Sequence, residues 1–197
     1  MSDGKTFSLM LKLFLVVNED GFFLSHRKDV ALKAHEAGFD VSVVCKDTGR
    51  RAEIEALGLR MIPFPINPTG ENIFEELRTF CFLLRLYRNE KPKIVHHVGL
   101  KSILWGGLSA RLSHVHGVVN AVSGLGTIFN GDKLSLKARV ILYVIRFASS
   151  RKNIVTIFQN HEDEALFFRY GICSSENSVF IKGAGVDLSE YCFSPEP

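Results

Sequence analysis

The feature that most constrains this chain is a near-unbroken alternation of short apolar runs with segments of helical spacing. Residues 12–17 (KLFLVV) form an apolar run suited to a strand buried on both faces. Residues 22–37 follow with helical spacing and stop at Gly38, a residue that tolerates the left-handed turn ending a helix. The same unit then recurs. Strands are expected at 40–45 (DVSVVC), 59–63 (LRMIP), 93–97 (KIVHH), 117–122 (GVVNAV), 153–158 and 178–181. Helices are expected at 51–57, 72–89, 101–112, 134–150 and 162–170, with Gly58 and Gly171 as further stops. Pro63, Pro65, Pro68 and Gly70 make a loop after the third strand.

Repeated β-α units dictate a parallel sheet with helices on both faces, because each crossover must be right-handed. The expectation is an α/β, Rossmann-like, doubly wound parallel sheet of about seven strands. One domain spans 12–187, with 1–11 an N-terminal extension and 188–197 the start of a linker. The 197 residues, 46% apolar and 23% charged, suit a single globular domain with a sizeable core. No internal repeat stands out beyond the β-α unit.

A net charge of +3 is too weak to point to nucleic acid, and suits an anionic substrate or an anionic membrane surface. Cys45, Cys81, Cys173 and Cys192 form no C-x-x-C pair, so they read as free thiols in a reducing, cytoplasmic setting. The apolar stretch 7–17 is interrupted by Lys12 and followed by Asn18-Glu19-Asp20 instead of a small-residue cleavage site. It therefore reads as a first buried strand and not as a signal peptide. No run reaches the ~20 residues that span a bilayer.

In such sheets, ligands bind beyond the carboxyl ends of the strands, where the strand order reverses. After the first strand comes NEDGFFLSHR, which holds only Gly21 of the G-x-G-x-x-G a dinucleotide site needs. A helix still starts there, and its free N–H groups are candidates to hold a phosphate. Ser25, His26 and Arg27 lie within about two turns of that start. Arg27 offers a planar fork for a phosphate; the plainer reading has Ser25 and His26 packing the helix and Arg27 solvated.

After the fourth strand, His96 and His97 must point to opposite faces, so at most one meets a cleft. His97 is read either as a cleft histidine that polarises a hydroxyl or as a core histidine with its hydrogen bonds satisfied. The pair lacks metal-ligand spacing and adjoining carboxylates, so no metal is expected. After the fifth strand, Ser123-Gly124-Leu125-Gly126 lets main-chain N–H groups approach a ligand. It is neither a Walker loop nor a hydrolase elbow. After the sixth, Asn160 reads as a helix N-cap, with Glu162 and Asp163 in the first turn. The helices at 74–88 (Arg78, Arg85, Arg88) and 134–151 (Lys137, Arg139, Arg146, Arg151) mix apolar and basic residues. Each either packs on the sheet or lies on anionic lipid.

Five phrases carry a family resemblance: NEDGFFLSHR (18–27), IVHHVGLKSILWGGLSAR (94–111), VVNAVSGLGTIF (118–129), FQNHEDEALFFRYGI (158–172) and KGAGVDLSEY (182–191). In this order they resemble the N-terminal domain of family 4 retaining glycosyltransferases, which have the two-domain GT-B architecture. The nearest branch builds bacterial surface polysaccharides and glycans on polyprenyl-diphosphate carriers.

The resemblance implies that this half mainly binds the acceptor. A C-terminal domain with a Glu-x7-Glu-type signature would hold the nucleotide-sugar, which is a substrate; no cofactor is implied. Gly185-Val186-Asp187 resembles the phrase that ends the first domain, so the donor domain is expected to be absent and this chain inactive alone. Gly21 matches a glycine that approaches the donor diphosphate, and Ser25-His26-Arg27 matches a segment expected to meet acceptor phosphate or sugar. Many family members carry a donor-contacting histidine after the fifth strand; Ser123 to Gly126 stand there instead, and no catalytic base is assigned. The expected substrate-binding set is Gly21, Ser25, His26, Arg27, His97, Ser123, Gly124, Leu125, Gly126 and Asn160.

The implied reaction moves a hexose or N-acetylhexosamine from a UDP-sugar, with retention, to a lipid-linked or saccharide acceptor. It would take place in the cytoplasm, peripherally on the inner face of the membrane. A stand-alone, membrane-docked acceptor subunit of a split transferase and a nucleotide-dependent oxidoreductase are the competing readings.

Overall fold

The structure is a computed structural model, which describes residues 10–70, 72–125, 135–183 and 185. Seven strands form one sheet: β1 (Leu11–Glu19), β2 (Phe39–Lys46), β3 (Arg60–Pro63), β4 (Ile94–Val98), β5 (Gly117–Val122), β6 (Ile154–Phe158) and β7 (Ser178–Phe180). Their order is β3-β2-β1-β4-β5-β6-β7, and every pairing is parallel. The chain winds outward from β1 to β3, crosses back, and winds the other way from β4. The sequence reversal therefore falls between β1 and β4, as expected for a doubly wound sheet.

Seven α-helices are described: α1 (Asp20–His26), α2 (Lys28–Glu36), α3 (Arg51–Ala56), α4 (Ile73–Glu90), α5 (Gly107–Leu112), α6 (Leu136–Ser149) and α7 (His161–Arg169). Alternation along each strand splits the core in two. Phe14, Val16, Val44 and Val95 face α4 and α5, meeting Leu83, Tyr87 and Ala110. Leu15, Val17, Val43 and Val98 face α1 to α3, meeting Phe23, Ala31 and Ile54. A third cluster joins Val122 and Phe158 to Leu142 and Ile145 of α6 and Phe167 of α7.

Two expected helices differ from the sequence reading. The single helix at 22–37 is two helices broken at Arg27, whose φ is −131°. Ser25 Oγ donates to the carbonyls of Gly21 (2.8 Å) and Phe22 (3.3 Å), a back-bonding that bends helices. The helix at 101–112 opens with a π-helical turn, Ser102–Gly106, before α5. Gly106 and Gly107 explain this close packing. A Cβ on Gly106 would stand 2.4 Å from His97 Cδ2, and one on Gly107 would touch the Ala148 Cβ of α6 at 3.4 Å.

Candidate functional site

At the carboxyl rim of the sheet, across the β1/β4 reversal, lies an open cleft of about 370 Å³. Asn18 is the penultimate residue of β1, Lys46 ends β2, Gly99 follows β4, Ser123 follows β5, and Asn67 and Thr69 come from the loop after β3. Gly99 has φ +83°, and the main chain there runs beside Asn18: an added Cβ would lie 3.5 Å from Asn18 Nδ2. Asn18 Oδ1 is buried without a hydrogen-bond partner, which costs free energy unless a ligand supplies a donor.

The loop over the cleft is fastened from behind. Lys101 Nζ donates to the Asn67 carbonyl (2.7 Å), to the Gly70 carbonyl and to Glu76, whose carboxylate also accepts from Trp105 Nε1. The first turn of α4, the loop and the π-helical turn are thus tied together. The α1 start is fastened too. Asp20 is fully buried and accepts from the N–H groups of Gly21 (2.7 Å), Thr48 (2.7 Å) and Arg50 (3.1 Å) and from the Thr48 hydroxyl. Burial pushes this carboxyl up, but the Thr48, Arg50 and Gly21 hydrogen bonds together bring it below the usual range.

Asp20 corrects one expectation. The start of α1 is not an open phosphate seat, because the protein's own carboxylate takes the Gly21 N–H. Gly21, in the first turn of α1, is half-buried and is not among the residues that line the cleft. Ser25 and His26 are exposed, with Ser25 Oγ 2.6 Å from His26 Nδ1. His26 stacks on Phe22, which lines the cleft, at 4.7 Å between ring centroids.

Arg27 is not solvated. It is 7% exposed, has no ion pair among the described residues, and its Nε has no hydrogen-bond partner. Burial pulls its pKa below the ordinary guanidinium value. Nearby His96 is buried with Nε2 unpartnered, and burial, the Arg27 charge and His97 push it down to about 3. His96 sits on the same strand face as Val98, two residues below the cleft floor.

His97 does not line the cleft, which corrects the reading that gave it a substrate role. It is fully buried on the α4 side, and both ring nitrogens are engaged. Nδ1 lies 3.0 Å from Asn120 Oδ1 and Nε2 lies 3.0 Å from Tyr87 Oη. Since Asn120 Oδ1 can only accept, Nδ1 carries the proton and Nε2 accepts from Tyr87. Burial holds this imidazole down at about 4, opposed by the Asn120 hydrogen bond.

The loop after β5 divides its work. Ser123 lines the cleft, and Gly124, at φ +115°, stands in open space. Leu125 is buried in the α6–α7 core, and Gly126 lies outside the described residues, as do Val186 and Asp187. Asn160 caps α7 and is not part of the cleft: Oδ1 accepts from the Asp163 N–H (2.8 Å) and Nδ2 donates to the Asp163 carboxylate (2.7 Å). Sequence reasoning missed Lys46 and Thr69. Their signal was position alone, at the end of β2 and in the Pro-rich loop after β3. Among the described residues, no cluster of His, Cys, Asp and Glu could hold a metal ion.

On α6, Leu136, Val140, Tyr143 and Phe147 form an exposed stripe at i, i+4, i+7, i+11, while Ala138, Leu142 and Ile145 pack inward. Arg111 lies over the Phe147 ring at 4.3 Å. No helix among the described residues is long and apolar enough to cross a membrane.

Comparisons with known proteins bear on this site. The sequence profile of the "Glycosyl transferase 4-like" family matches residues 12–160. An Escherichia coli UDP-Gal:alpha-D-GlcNAc-diphosphoundecaprenol alpha-1,3-galactosyltransferase is 24% identical over 153 residues, which cover 78% of this chain and 38% of that protein. A Campylobacter jejuni N,N'-diacetylbacillosaminyl-diphospho-undecaprenol alpha-1,3-N-acetylgalactosaminyltransferase is 25% identical, covering 77% of this chain and 40% of that protein. The chain spans about two fifths of the length of these relatives. Among solved structures, Anabaena Alr3699/HepE in complex with UDP and glucose superposes with a TM-score of 0.62 at 14% identity. That match covers 94% of this chain and 47% of the Anabaena chain, and at this identity it speaks to the fold alone.

Proposed function

Because the chain belongs to the glycosyl transferase 4-like family, we propose that it forms the acceptor-side wall of a sugar-transfer cleft. The complete protein moves a hexose or N-acetylhexosamine from a UDP-sugar, with retention, onto a lipid-linked or growing saccharide acceptor. Two curated relatives whose names specify diphosphoundecaprenol-linked acceptors support the acceptor class. Their greater length supports a second domain that brings the donor to the open side of the cleft.

The observation that carries this reading is the rim cleft with its unpartnered Asn18 Oδ1. Sugar transfer needs donors and acceptors for hydroxyls, which Asn18, Thr69 and Ser123 supply. It also needs positive charge where a diphosphate gathers negative charge. Lys46 stands in the cleft, and Arg27, buried below its floor beside His96 and without an ion pair among the described residues, is read as a second cation for the anionic group. His26 on Phe22 offers a flat apolar surface for a sugar ring. The Gly124 turn, next to Ser123, keeps the main chain open at the edge of the cleft.

The bare α6 stripe and the exposed Ile73, Phe74 and Leu77 at the start of α4 are read as resting on the cytoplasmic bilayer surface. An oxidoreductase is not favoured, since the first turn lacks G-x-G-x-x-G and Asp20 fills its anion position. The test is steady-state transfer by the complete protein carrying Arg27→Ala. Acceptor kcat/KM is expected to fall by ~10-fold or more, as for loss of a charged contact, with the UDP-sugar KM unchanged. Unchanged acceptor kinetics would remove Arg27 from the site.

A further inference from the structure

A second groove, of about 700 Å³, lies between the edge strand β3 and α4, and Lys46 lines both it and the sugar cleft. Its floor is apolar. Phe64 and Phe82 stack at 5.7 Å between centroids, and Leu86, Pro63 and Pro65 continue the surface. Its margins are cationic: Lys46, Arg78 and Arg85 line it, and none of the three side chains has a hydrogen bond or ion pair among the described residues. The one carboxylate present, Asp47, is engaged with the Gly49 N–H at 2.9 Å.

Phe74, Arg78, Cys81 and Arg85 share one stripe of α4 at i, i+4, i+7 and i+11, so Arg78 and Arg85 are separated by ~10 Å along the axis. The stripe begins at the exposed apolar turn Ile73, Phe74 and Leu77. The occupant of such a groove must be apolar along its length and anionic where it passes Lys46. A volume of this size lies within the range of small-molecule sites. A saccharide would leave the cations unpaired, and a nucleotide would stack on the aromatic rings but leave the aliphatic stretch of Leu86, Pro63 and Pro65 unused.

We propose that this groove holds the isoprenoid end of a polyprenyl-diphosphate acceptor. The proximal isoprene units lie on Phe82, Leu86 and Pro65, backed by the buried Phe64. The diphosphate pairs with Lys46 and Arg78, and the attached sugar enters the cleft on the far side of Lys46. This rests on the lipid-linked acceptor reading above and adds the place where the lipid is recognised.

The test uses the complete protein in detergent, so that adsorption to a bilayer does not enter. Transfer is measured to two acceptors with the same sugar diphosphate, one on an undecaprenyl chain and one on a methyl group. The long chain is expected to lower acceptor KM by ~10-fold or more, as burial of several methylenes would. Leu86→Ser is expected to erase that advantage and leave the methyl acceptor and UDP-sugar unchanged. Arg78→Glu, at an exposed position, is expected to raise KM for both acceptors. A photoreactive isoprenyl diphosphate is expected to label the peptide 78–89 of the unmodified protein. Transfer to both acceptors with equal KM, with both variants silent and label elsewhere, would overturn the groove and leave the transferase reading standing. Absence of transfer to any diphosphate-linked sugar would overturn the transferase reading and the groove together.

Discussion

Arg27 and His96 are buried near each other on the α1–α2 side of the sheet, and neither Arg27 Nε nor His96 Nε2 has a hydrogen-bond partner. A buried cation without a counter-charge is costly, and its removal is often stabilising. Arg27→Met is therefore expected to stabilise the chain by about 1 kcal/mol, a rise in Tm of roughly 2–4 °C for a domain of this size. Inorganic pyrophosphate is expected to raise the Tm of the unsubstituted protein and to have no such effect on Arg27→Met, since only a native-state ligand stabilises. Differential scanning fluorimetry of both proteins, with and without pyrophosphate, reads this directly.

The two adjacent histidines predict a steep acid dependence of stability. His96 titrates at about 3 and His97 at about 4 in the folded protein, both below the ordinary histidine value. Unfolding lets each take up a proton, so stability is full above the unfolded value and falls as pH drops below it. Going from pH 7 to pH 5 should cost about 2–4 kcal/mol from the pair, at roughly 1.4 kcal/mol per pH unit for each group. Urea unfolding at the two pH values measures it. A His96→Gln protein should lose about half of the difference.

The exposed stripe of α6 predicts adhesion to anionic bilayers. Leu136→Ser with Tyr143→Ser removes two side chains that make no core contact, so the Tm should not move. Each buried apolar side chain contributes about 1.5–3 kcal/mol, so the double variant should lose ~10-fold or more of its partitioning onto phosphatidylglycerol vesicles. Vesicle flotation checks this, and neutral vesicles should bind both proteins poorly.

Much of the fold was legible because buried parallel strands leave continuous apolar runs. GVVNAV at 117–122 is β5 to the residue. The break at Arg27 was not, because the helical spacing continues through it; the cause is Ser25 bonding back to Gly21 and a charge turned inward. The opposite facing of His96 and His97 followed from strand alternation alone. That His97 is sealed in the core did not, since it depends on Tyr87, ten residues earlier on α4, reaching the His97 ring. Asn160 was legible as a cap from its acidic neighbours. Lys46 and Thr69 carry no motif, and only the folding of the Pro-rich loop over the sheet rim brings them to the cleft.

The central claim is that sugar transfer takes place in the rim cleft between β1, β4 and β5. Ser123 is exposed there, so Ser123→Trp fills the cleft without entering the core. The decisive measurement is transfer from a UDP-sugar to a diphosphate-linked acceptor by the complete protein carrying this one change. A cleft-bound reaction predicts an unchanged Tm with turnover reduced ~100-fold or more, as for a misplaced substrate. Full turnover with a bulky indole in that position would contradict it.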